Sequence, residues 1–202
     1  MTEFLSNYSI ESYLLPLMAV ALLLVLLAVY QRHSRKARKL KKVFGTIAHD
    51  RIDHLIIPSA DEGEIQIDHL LLTAEGLLIV DIKDVNGAVF GSNKMRHWSV
   101  ISDDRRFTFS NPQNALYDRI AAVRQIVRQV PVTGRILFLD DAEFKKGVPD
   151  FVCSLDSMLS EFSENDRAVG KSKIEAFKPQ WDLIREKALP MTSSRRLVRN
   201  QP

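Results

Sequence analysis

The longest apolar run is residues 13–30, YLLPLMAVALLLVLLAVY, which carries no charge. As a helix it would cover about 27 Å, close to the hydrocarbon thickness of a bilayer. Tyr13 and Tyr30 stand at its two ends, where amphipathic rings favour the membrane interface. Pro16 is expected in the first turn, where a missing amide proton costs least. The next stretch, RKARKLKKVFGTIA, consists of good helix formers with apolar residues only towards its end, so the helix is expected to continue to about Ala48.

From there the pattern becomes that of strands. DHLIIP, ending at Pro58, reads as a first or edge strand, and SADEG as a turn. EIQIDHLLL and LLIVDIKD are apolar strands separated by TAEG, NGAVFGS is a short strand between turns, and RHWSVIS is the strand after it. SNPQNAL opens a helix, with Asn111 as N-cap and Pro112 in the first helical position. Leu116, Ile120, Val123, Val127 and Val130 then recur at helical spacing and form one apolar stripe. GRILFLD is a buried strand, FVCSLDSMLSEF leads into a short helix, and KIEAFKPQWDLIREKAL reads as a helix interrupted at Pro179. The polar tail from Met191 is expected to be disordered. No internal repeat is present. The pattern predicts an α/β domain over about 45–188, a mixed central sheet flanked by helices and preceded by one transmembrane helix. The expected order is a short extracytoplasmic segment (1–12), the span (13–30), a basic juxtamembrane segment (31–44), the domain, and a basic disordered tail (189–202).

Composition sharpens this picture at three points. With 202 residues, 46% of them hydrophobic, the chain has material for one domain with a real core. Cys153 is the only cysteine, which excludes an intramolecular disulfide and a Cys-rich zinc site; its apolar setting reads as a buried thiol in a reducing compartment. Charge is unevenly spread. Arg32, Arg35, Lys36, Arg38, Lys39, Lys41 and Lys42 follow the apolar run without an acid among them, whereas Glu3 and Glu11 precede it with no Lys or Arg. A signal peptide would show the opposite front end and a cleavage site. The positive-inside rule therefore predicts a single-pass protein of a bacterial-type inner (plasma) membrane, with the N-terminus outside and the domain cytoplasmic. The run from Arg32 to Lys42 then faces anionic lipid headgroups. Once this run and the C-terminal SSRRLVRN are set aside, 18 Lys and Arg remain against 25 Asp and Glu, so the body is acidic and no general polyanion magnet.

Two acids interrupt the apolar hairpin. Strand alternation puts Asp81 and Lys83 on one face of LLIVDIK and groups Glu64, Gln66 and Asp68 on EIQIDHLL. An even loop at TAEG would set Asp68 opposite Asp81, and a three-residue loop with Gly76 as a bulge would put them on opposite faces; the sequence leaves both registers open. Facing carboxylates repel unless a cation lies between them, and a divalent metal or the Lys83 ammonium are the two candidates. The alternative is a purely structural role, with Asp68 and Asp81 capping or pairing with Lys83 and His69.

The ordered series QIDHLLLTAEGLLIVDIKDVNGAVFGS, Trp98, FSNPQNAL and GRILFLDD, within about 45–160, resembles the NERD (nuclease-related domain) family of the PD-(D/E)xK nuclease superfamily. That resemblance implies a restriction-endonuclease-like fold and Mg²⁺- or Mn²⁺-dependent hydrolysis of phosphodiester bonds in DNA or RNA. It implies Asp68 and Asp81 as metal ligands and Lys83 as the catalytic lysine. Three departures accompany it. The family's usual Glu is Asp81 here. The glutamine that follows its Asn-Pro pair falls on Ala115, with Gln113 two residues early and about 200° away around the helix. The acid that the family carries on the preceding helix has no counterpart in KLKKVFGTIA, leaving Glu62 or Glu64 as substitutes. These departures support a second reading, a catalytically inactive, membrane-tethered module that binds nucleic acid or protein. Trp98 is expected to pack against the sheet rather than stack on a base.

Overall fold

The computed structural model describes residues 11–58, 63–103, 105–139, 141–163 and 167–190. The chain divides into two compact units, Met1–Lys41 and Lys42–Pro202. The first is carried by helix α1, Glu11–Ile47. Pro16 lies inside this helix and not in its first turn, so one backbone hydrogen bond is lost there. Side chains 16–30 are exposed throughout. The expected extracytoplasmic segment lies mostly outside the described residues, as does the tail from Met191.

In the second unit the last turns of α1 bury Val43, Phe44 and Ile47. The strands β1 (Asp50–Pro58), β2 (Glu64–Thr73), β3 (Gly76–Lys83), β4 (Gly87–Phe90), β5 (His97–Ile101) and β6 (Arg106–Ser110) follow. Then come α2 (Pro112–Ile126), β7 (Val132–Phe138), β8 (Ala142–Phe144), β9 (Val152–Cys153), α3 (Leu155–Phe162), α4 (Arg167–Lys187) and β10 (Leu189–Pro190). The main sheet has the order β10-β1-β2-β3-β7-β9, and a smaller one the order β6-β5-β4-β8. β1, β2 and β3 pair antiparallel, whereas β7 joins β3 in parallel through the α2 crossover. This is the mixed, helix-flanked sheet expected of a restriction-endonuclease-like fold.

Leu70, Leu72, Leu77, Ile79 and Ile136 on one face of the main sheet form a single core with Leu116, Ile120 and Val123 of α2 and Trp181 and Ile184 of α4. Gly134 is the point of closest approach, since a Cβ there would stand 2.6 Å from a Leu116 methyl. On the other face Phe44 meets His69 edge-on, and Arg135 lies over the Phe162 ring and pairs with Glu161 of α3. Trp98 is fully buried among Phe109, Phe138 and Phe144, so it packs and does not offer a stacking surface.

Three elements differ from the sequence pattern. The helix expected to break at Pro179 runs unbroken from Arg167 to Lys187, because the burial of Trp181 and Ile184 beyond the proline holds its second half in place. Trp181 also donates a hydrogen bond to Asp50 at 2.9 Å. The apolar stripe of α2 outlasts its helix, which ends at Ile126, yet Val127 and Val130 remain buried in the following loop. RFTFS, to which the sequence pattern assigns no element, is strand β6, paired antiparallel with β5. The ordered chain also continues through Leu189 and Pro190, which pair with β1.

Candidate active site

The site is built on the β2–β3 hairpin. Its loop is Ala74-Glu75, closed by the pair Thr73↔Gly76, and the register continues through Leu72↔Leu77 to His69↔Val80. The paired ladder ends there, and strand alternation beyond it keeps Asp68 of β2 on the face of Leu70 and Leu72, and Asp81 and Lys83 of β3 on the matching face of Leu77 and Ile79. Two local features hold this turn. Gly76 adopts φ +119, a conformation that L side chains rarely adopt, with its Cα against the Pro131 carbonyl. The Thr73 hydroxyl donates to the Gly76 carbonyl at 2.9 Å and accepts from the Glu75 amide at 3.2 Å. The even loop is thus the one realised, and Asp68, Asp81 and Lys83 share a sheet face.

Asp81 is 2% exposed, an unusual place for a carboxylate. Its neighbour is Arg119 of α2, whose Nη1 donates to Asp81 Oδ2 at 2.9 Å and whose Nε donates to the Gln66 carbonyl at 2.7 Å. The guanidinium therefore straps β2 to β3. It is a counter-ion that neither of the two sequence candidates anticipated. A signal for it exists: Arg119 lies three residues after Leu116 and four before Val123, so a cation sits inside the core-facing stripe of a helix. It also lies one turn after Ala115, and helical side chains lean back towards the N-terminus, over the position a glutamine at 115 would have covered.

Asp68 and Lys83 are half-buried at the rim of this face. His54 of β1 is level with Asp68, between the pairs Asp53↔His69 and Leu55↔Ile67, and holds φ at +57. Such left-handed backbone at a non-glycine residue is stored strain next to the acid. His69 points to the other face, where its Nδ1 lies 2.7 Å from Asp53 Oδ1. Glu64 is exposed at the start of β2, four residues and about 13 Å of strand from Asp68. Glu62 lies outside the described residues.

Gln113 is placed elsewhere. Its amide nitrogen donates to Asn93 Oδ1 at 2.9 Å and to the Asp150 carbonyl at 2.8 Å, and its oxygen accepts from Asn111 at 3.1 Å. With Asn111, whose side chain accepts from the Gln113 amide, it ties the start of α2 to neighbouring loops. That start is about 9 Å along the helix axis from Arg119.

Asp68 and Asp81 suit a Mg²⁺-type ion, which takes one or two carboxylates and fills its remaining positions with water and substrate oxygens. They do not make an all-protein cage, for among the described residues no group of three His, Cys, Asp or Glu is placed to hold a metal. Any such ion would compete with Arg119 for Asp81. Just past Lys83 the chain lines a cleft of about 620 Å³ whose charged lining is Asp84, Asp103, Asp141 and Glu143 against Arg105, an excess of acid.

The model of the family described as the nuclease-related domain, NERD, matches residues 31–139, more than half of the chain. The chain belongs to the NERD family. The match covers the hairpin, strands β4, β5 and β6 of the small sheet, α2 and β7, and leaves β8, α3 and α4 outside the matched part of this NERD protein. The chain is also similar to an uncharacterized protein of Bacillus anthracis, 30% identical over 64 residues. That stretch is 32% of this chain and 30% of the relative's length. No solved structure matches the NERD chain significantly.

Proposed function

We propose that this NERD protein is a membrane-anchored, metal-dependent nuclease that hydrolyses phosphodiester bonds of DNA or RNA at the cytoplasmic face. The observation that carries this reading is the hairpin register, which puts Asp68, Asp81 and Lys83 on one face in the order that the family resemblance assigns to metal ligands and catalytic lysine. Asp68 and Asp81 would hold Mg²⁺ or Mn²⁺, which when bound polarises the phosphodiester and activates a water. Lys83, two residues on from Asp81, offsets the charge that develops on the phosphate oxygens. Anchoring is supported by α1, which is long and apolar enough to cross a membrane, and its orientation by the basic run that follows residue 30. That run supplies the contact with anionic headgroups.

The test uses the full-length protein in detergent micelles, incubated with Mg²⁺ or Mn²⁺ and a mixture of DNA and RNA. Cutting is expected to fall by about a hundredfold or more in Lys83→Ala, the scale of losing one transition-state charge partner, and to vanish in Asp81→Ala. Undiminished cutting in both variants would remove these residues from the site.

A second reading is favoured by one observation, the ion pair between Asp81 and Arg119. In it the domain is a nuclease-like module that binds nucleic acid or protein at the membrane without cutting. Asp81→Asn would then leave cellular function intact in a folded protein, whereas deletion of residues 13–30 would abolish it.

A further inference from the structure

We propose that Arg119 gates the site: it holds Asp81 as an internal counter-ion and releases it to a divalent ion only when a phosphodiester gives the guanidinium another partner. This inference rests on the metal-dependent reading above. It starts from the asymmetry of the pair. The Asp81 side chain is 3% exposed and that of Arg119 19%, so the carboxylate is a fixed floor and the arginine is the member of the pair that solvent reaches. A divalent ion bound to Asp81 would meet a full positive charge within hydrogen-bond reach of the same carboxylate, in surroundings too dry to screen the repulsion well.

Withdrawal of Arg119 without a replacement would strand the buried Asp81 charge and also the Gln66 carbonyl that its Nε serves. Metal alone compensates the first loss, but it offers the guanidinium nothing. A phosphodiester does, because its two free oxygens can accept from the guanidinium fork in place of Asp81 Oδ2 and the Gln66 carbonyl. Metal and nucleic acid are therefore expected to bind cooperatively, each raising the affinity for the other by the same factor. Where the open state makes up about a tenth of the free protein, apparent metal affinity is lowered about tenfold, and that factor returns when phosphate takes the guanidinium.

The experiment measures Mn²⁺ binding to the full-length protein in detergent by electron paramagnetic resonance, with and without a single-stranded oligothymidylate, and in parallel by thermal unfolding. Wild type is expected to bind Mn²⁺ about tenfold more tightly with the oligonucleotide present. Arg119→Gln, which keeps an amide to serve the Gln66 carbonyl, should bind Mn²⁺ at the tighter value without oligonucleotide, and Asp81→Asn placed in that background should abolish the gain. Arg119→Lys provides a second variant if the glutamine protein unfolds; its point charge cannot bridge both oxygens as the fork does, so it should show an intermediate affinity. Equal Mn²⁺ affinity in wild type and Arg119→Gln without oligonucleotide would overturn the gate, and so would absence of Mn²⁺ binding under every condition. Binding as described, with no cut product from the DNA and RNA mixture, would support the gate and refute nuclease activity, so the two failures are distinct.

Discussion

Asp81 and Cys153 show how position decides the chemistry of a single side chain. Burial pushes the Cys153 thiol up to about 12 from an ordinary 9.0, an effect that the nearby Glu161 carboxylate reinforces and Arg135 opposes. A raised thiol pKa means that the folded protein keeps a proton that the unfolded chain has lost. Its contribution to stability is therefore whole below pH 9 and is lost as pH rises towards 12. Two measurements follow: iodoacetamide should label Cys153 slowly at pH 8 until denaturant is added, and the urea midpoint should fall more steeply from pH 9 to 10.5 in wild type than in Cys153→Ala. Such an inert thiol is no nucleophile, in agreement with its apolar sequence setting. The two acids of the hairpin were legible as anomalies in the sequence, and Arg119 as a cation within an apolar stripe, but not that Arg119 and Asp81 belong together. Arg119 is 38 residues away along the chain, and only the docking of α2 brings it within reach.

At the scale of elements, α2 is the part on which the site depends. Asn111 and Pro112 start it where sequence reasoning placed the start, and Gln113 fastens that end to the Asn93 and Asp150 loops. Its seat on the sheet is Gly134. A Cβ there would meet Leu116 Cδ1 at 2.6 Å and Ile120 Cδ1 at 3.1 Å, so a larger residue must lift the helix. Gly134→Val is expected to cost about 1–3 kcal/mol by overpacking. The melting temperature should then drop by several degrees, since each kcal/mol is worth roughly 2–4 °C in a chain of this size. Because the same helix carries Arg119, this variant should also loosen the Asp81 pair and raise Mn²⁺ affinity without touching a charged residue. A stability loss with unchanged metal binding would show that α2 and the site are not coupled through Gly134.

For the whole molecule the question is where the domain acts. Residues 16–30 expose apolar side chains along their full length, which water does not tolerate over so large a patch. Full-length protein is expected in the membrane fraction, resistant to high-salt and carbonate extraction, and protein lacking residues 13–30 in the soluble fraction. Replacement of the seven Lys and Arg between Arg32 and Lys42 by Gln should scramble the orientation of the span, as read by protease accessibility from the outer side. Retention of one orientation in that variant would assign topology to another part of the chain.

The sequence by itself determined the apolar run, its flanking charge, the hairpin strands, the capped start of α2 and the family, because each is a local pattern in which neighbours along the chain carry the signal. It left open the register of the hairpin, wrongly predicted an interruption of α4 at Pro179, and did not pair Asp81 with its counter-ion. These depend on contacts between distant segments: Gly76 against Pro131, Trp181 against Asp50, and Arg119 against Asp81. Alternation along β3 could place an acid on the inner face, but the helix that closes over that face determined which cation the acid would meet.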